Sequence, residues 1–224
     1  MASVPASKSA VTDAITIFYG AATRDDAQAV SLRCGAPLRL SDGPYPFAEP
    51  PDLIRLATTA ARLDFLCEHL GSLCGLWAKP PLAFLNAYFA WIGATLAAAP
   101  TRTALTETGH GLFAPEDWSF AAPRPLLSAL LPADDVTIRV DFAFWTGTSF
   151  VAVDSPRERR ARRRGELALL TAAGVTVLEL ASGDLIDAAT LAAKLPADFA
   201  EFWRDIPLPR SPFGARGLTI VPAR

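Results

Sequence analysis

VTIRVDFAFWTGTSFVAVD (136–154), continued by SPRERRARRRGELALLTAAG (155–174) and VTVLEL (175–180), is the stretch whose reading decides the fold. Val136, Ile138 and Val140 alternate with Thr137, Arg139 and Asp141. A period of two marks a strand with one buried face and places Asp141 on the other. Thr146-Gly147-Thr148 reads as a hairpin turn, and residues 149–154 (SFVAVD) as the returning strand, apolar enough to be central and closed by Asp154. Ser155, Pro156 and Glu158 then form a helix start: a Ser N-cap, Pro at the first helical position and Glu at the third. This helix should run to about Ala173 and stop at Gly174. Residues 175–180 alternate again as a strand, and Ser182-Gly183-Asp184 opens a helix through about Lys194. A helix joining two strands of one sheet favours a right-handed parallel crossover, so the hairpin and the last strand should form a mixed sheet.

Outward from this unit, the N-terminal side reads as mainly helical. Residues 14–19 (AITIFY) suit a strand. Thr23-Arg24-Asp25-Asp26 matches a capping box, so a helix over 24–33 closed by Gly35 is expected. After a Pro- and Gly-rich loop over 41–51, helical spacing of Leu53, Leu56, Ala60, Leu63 and Leu66 predicts a helix over 52–69, ended by Gly71. A second, uncharged helix follows over 82–99, and 100–122 is a long connection in which His110 stands between two glycines without a partner at fixed spacing. Residues 197–206, with Phe199, Phe202 and Trp203, predict an amphipathic helix packing back on the core. The organisation expected is a mainly helical region (1–122), an α/β core (123–206) and an extended tail (207–224).

Composition excludes several classes. With 224 residues, 51% hydrophobic, and a mean hydropathy of +0.25, the chain can bury a sizeable core. A net charge of -2 excludes a polycation that coats nucleic acid along its whole surface, so any such contact must be local. Three cysteines exclude a disulfide scaffold and favour a reducing cytoplasm. Cys67, His69 and Cys74 lie close together, but no second ligand pair follows at zinc spacing, and the reading is of buried thiols on a helix. Residues 80–101 carry no charge for 22 positions, about the length of a membrane span. Pro80, Pro81, Asn86, Gly93 and the alanine-rich end oppose insertion, so a buried helix and no span are expected. The first ten residues lack the apolar run of a secretory signal.

The central unit resembles the PD-(D/E)XK nuclease superfamily, in the branch around very-short-patch-repair endonucleases. The residues that carry the resemblance are Val140-Asp141-Phe142, Val151-Ala152-Val153-Asp154, the run Arg157 to Arg164 with Glu166-Leu167, and Gly174 to Leu178. They cover about 50 of the 224 residues. The resemblance implies a restriction-endonuclease-like α+β fold: a mixed-sheet core flanked by helices. It implies a nuclease-like protein acting on DNA by metal-dependent phosphodiester hydrolysis, with Asp141 and Asp154 holding Mg²⁺ and Glu158 as a further catalytic acid. Mg²⁺ takes oxygen ligands, and two carboxylates from neighbouring strands could hold it beside a phosphate. Six arginines fall within the eight residues 157–164, and Arg157, Arg160 and Arg164 are the expected backbone contacts. An Arg162–Glu158 pair is the bland use of the same run.

Three positions depart from the family pattern. Ala152 stands where many relatives carry Glu, no lysine occurs between Lys79 and Lys194, and no His follows Asp154. These departures favour the alternative reading of a catalytically inactive nuclease-fold module that binds nucleic acid or a protein partner.

Overall fold

The computed structural model describes residues 14–20, 27–42, 58–74, 79–98, 119–155, 160–180, 187–197, 199 and 202. Among them the chain is mixed α+β, with two four-stranded sheets and four helices. The first sheet has the order β2-β1-β4-β5, from β1 Ala14–Tyr19, β2 Gln28–Arg33, β4 Leu130–Ala133 and β5 Val136–Arg139, all antiparallel. The second has the order β3-β6-β7-β8, from β3 Leu126–Leu127, β6 Phe142–Trp145, β7 Phe150–Asp154 and β8 Thr176–Glu179. Here β6 and β7 form the expected hairpin, and β7 runs parallel to β8 through the crossover helix. The helices are α1 Thr59–Leu73, α2 Lys79–Ala97, α3 Arg160–Ala172 and α4 Ala188–Lys194.

The second sheet is the middle of the molecule. Strands β3, β6 and β7 are buried on both faces, which is why residues 150–154 are apolar almost throughout. Phe142, Phe144, Val151 and Val153 face a core built by α1, α2 and α4 with Phe199 and Phe202. Phe84 meets Phe142 at 5.2 Å between ring centroids, and Tyr88 meets Phe144 at 5.1 Å. Such aromatic pairs add about 0.5–1.5 kcal/mol each beyond the area they bury. The alternate positions, Ala143, Trp145, Phe150 and Ala152, face a second core shared with the first sheet and with Leu167 and Leu170 of α3.

The uncharged stretch after Lys79 is a core helix: Phe84, Leu85, Tyr88, Trp91, Ile92 and Leu96 are buried on one side of α2. Among the described residues no helix is long and apolar enough to cross a membrane.

Several expectations are corrected. The N-terminal half is not mainly helical, because residues 28–33 are β2, paired along their length with β1. QAVSLR alternates, and only the Val30 and Leu32 side turns inward. A helix there would have spread that apolar pair around its axis, whereas the neighbouring strand rewards a period of two. The capping-box residues 23–26 lie outside the described residues. Gly71 does not end α1, which continues to Leu73. A Cβ on Gly71 would lie 2.9 Å from Leu82 Cδ1, so this glycine serves the close approach of α1 and α2. The described part of α1 begins after the N-cap Thr58, whose hydroxyl accepts from Ala61 N at 3.2 Å, and 51–57 lie outside the described residues. The described start of α4 is likewise the N-cap Asp187, and 182–184 lie outside.

Strands β3 and β4 were not legible. Pro132 lies inside β4, and the turns on either side of it use left-handed Ser128 and Asp134, φ 48° each, in place of the glycine that ordinarily announces such turns. The strand expected over 136–141 begins at Val136, which is 48% exposed, has its buried face from Ile138, and ends at Arg139.

Candidate functional site

Asp154 closes β7, and its side chain follows Phe150 and Ala152 toward the face on which α3 packs. Leu167 and Leu170 are the buried residues of α3, and Arg163 precedes them by four and seven positions, on the same face. The helix therefore delivers a guanidinium to the Asp154 carboxylate. Arg163 Nε donates to Asp154 Oδ2 at 2.7 Å and Nη2 donates to Asp154 Oδ1. Nη2 also donates to the carbonyl of Arg139 at 2.6 Å, and Nη1 to Glu166 Oε2 at 2.8 Å. Asp154 is 2% exposed and the Arg163 side chain 12%. A carboxylate this deep requires a charged partner, and the fork supplies two parallel hydrogen bonds.

Asp141 lies one position beyond the Phe142–Val153 pair of the hairpin, so the register carries it alongside Asp154. Its carboxylate has a different set of partners. Oδ2 accepts from Ser155 N at 2.8 Å and from the Ser155 hydroxyl. Its charge also helps to raise the thiol of Cys74 at the end of α1, after burial, the larger cause. Asp154 is thus engaged from α3, while Asp141 is tied to Ser155 in the chain leaving β7. The Ser155 hydroxyl donates to Asp141, and the residues it was expected to cap, 156–159, lie outside the described residues.

Of the remaining expected residues, Arg157 and Glu158 lie outside the described residues, and only the backbone of Arg160 is described, at the start of α3. His110 lies outside as well. Arg164 is exposed on α3. Arg162 pairs with Glu166, at 3.0 Å from Nε to Oε1, and the Glu158 partner that the sequence suggested lies outside the described residues. Glu166 is held below the usual carboxylate range chiefly by its hydrogen bond from Arg163, with Arg162 adding to it. Sequence reasoning missed Arg163 as the partner of Asp154. The available signal was its place on the Leu167–Leu170 face of the helix.

The arrangement does not fit a divalent ion as the resemblance would place it. Both Asp154 oxygens accept from Arg163, so a guanidinium stands where the cation would. Ala152, where the resemblance would call for Glu, is fully buried in the second core and presents a methyl group. Among the described residues no group of three His, Cys, Asp or Glu side chains could hold a metal. The thiols near His69 are structural: Cys67 donates to Asn86 Oδ1 at 3.4 Å and Cys74 to the Leu70 carbonyl at 3.4 Å. Comparison of the chain with protein-family models, curated proteins and solved structures returned no match.

Proposed function

We propose that this chain is a non-catalytic module on a PD-(D/E)XK-like core, which binds nucleic-acid backbone through the arginines of α3. The order hairpin, arginine-bearing helix, parallel strand supports the core assignment. The observation that carries the loss of catalysis is the Arg163 fork on Asp154. A metal ligand must offer lone pairs to the ion, and those of Asp154 are directed at a guanidinium inside the protein. Hydrolysis by Asp141, Asp154 and Mg²⁺ would require breaking that buried pair first, and Ala152 offers no carboxylate in compensation.

Besides Arg163, which is engaged internally, the run holds five further arginines: Arg157, Arg159, Arg160, Arg162 and Arg164. Arginine matches phosphate oxygens in a fork, so a phosphodiester backbone is the polyanion such a helix suits. If all five reached phosphates, the slope of log K against log salt on duplex DNA would be about −4.5, and geometry around a helix makes it shallower.

The test has two arms on the full chain. Labelled single- and double-stranded DNA should be bound with a salt-dependent affinity, and neither should be cut with Mg²⁺ or Mn²⁺. Cleavage that disappears in Asp141→Ala would establish the hydrolytic reading instead. No binding at about 50 mM salt, where backbone contacts are strongest, would remove nucleic acid as the partner.

A further inference from the structure

Two guanidinium groups converge on one carboxylate on the surface of α3. Arg162 Nε reaches Glu166 Oε1 at 3.0 Å, and Arg163 Nη1 reaches Glu166 Oε2 at 2.8 Å. Each oxygen of a shared negative charge thus has its own arginine, as two non-bridging oxygens of a phosphodiester would have. The two arginines differ in freedom. Arg163 is clamped by Asp154 and the Arg139 carbonyl and is 12% exposed. Arg162 is 75% exposed and pairs with Glu166, four positions further along the helix.

We propose that Glu166 is an internal competitor for Arg162, an acidic stand-in that a phosphodiester must displace, and hence the residue that sets how tightly this helix holds nucleic acid. The inference rests on the reading of α3 as a backbone-binding helix. An exposed i,i+4 pair is weak, so Arg162 exchanges it for a phosphate at little cost. Glu166 keeps its hydrogen bond from Arg163 after the exchange, so the carboxylate is not left without a donor. The same arrangement keeps the arginine-rich run from acting as an unselective polycation: Asp154 and Glu166 offset two of the three arginines at 162–164.

The experiment is fluorescence anisotropy of a labelled DNA duplex with the full chain between about 50 and 200 mM salt, with thermal unfolding recorded for every variant. Glu166→Gln should bind about three- to tenfold tighter, and its salt slope should steepen by about 0.9, one phosphate contact. In an Arg162→Gln background the same substitution should bring no gain. Glu179→Gln, an exposed acid on β8, controls for the change in net charge. A gain no larger than in that control, or one that survives without Arg162, overturns the role of Glu166 while binding itself stands. Absence of binding in the wild type and in every variant overturns the backbone-binding reading together with it.

Discussion

Arg163→Met is the substitution that probes the arrangement most directly. It removes the fork from a carboxylate that is 2% exposed and a donor from the Arg139 carbonyl, while keeping a flexible apolar stem of similar length. Breaking a buried ion pair from one side costs about 3–5 kcal/mol, because the surviving charge stays desolvated. The Arg163 side chain is 12% exposed, so water reaches the edge of the pair, and the lower end, about 3 kcal/mol, is expected. With a urea m-value of about 2 kcal/mol/M, the midpoint of urea unfolding should fall by about 1.5 M. The companion Asp154→Leu with Arg163→Met removes both charges and should recover to within about 1 kcal/mol of the wild type, since apolar replacements of buried pairs are often neutral. Arg163→Met losing less than about 1 kcal/mol, or a double variant no more stable than the single one, would show that the fork is not what keeps Asp154 in the interior.

Two further outcomes are expected. Gly147 has φ +99°, and a Cβ there would lie 3.1 Å from Pro37 N and 3.2 Å from Ala36 N, both backbone atoms; Gly147→Ala should lower stability by about 1–3 kcal/mol. Gly174→Ala, at φ +82° with open space around the added carbon, should cost less in the same thermal unfolding series. Burial pushes the Cys67 and Cys74 thiols up to about 11 each, so both stay protonated at neutral pH, while Cys34 is exposed. Titration with a disulfide reagent at neutral pH should show one fast thiol in the folded protein and all three after unfolding. Fast reaction of either helical thiol would contradict their burial.

What the chain's own order of residues determined is its local structure and pairing. Alternation across 136–141, the Thr146-Gly147-Thr148 turn, and the position of Gly174 placed β5, the β6–β7 hairpin, the end of α3 and β8 within a residue or two. These features depend on neighbours a few positions away, so a period of two or a turn residue suffices to reveal them. The same logic failed over 28–33, where a nearby capping pattern outweighed a short alternation that only the pairing with β1 makes decisive. The partners of the two aspartates belong to tertiary structure alone. Asp154 and Asp141 read as equivalent acids on adjacent strands, yet one is closed by Arg163 and the other by Ser155. That difference arises because α3 returns across the sheet with Leu167 and Leu170 inward, and burying those two side chains carries Arg163 to the end of β7. A helix's register on a sheet is settled by the whole surface it buries, which no local pattern encodes.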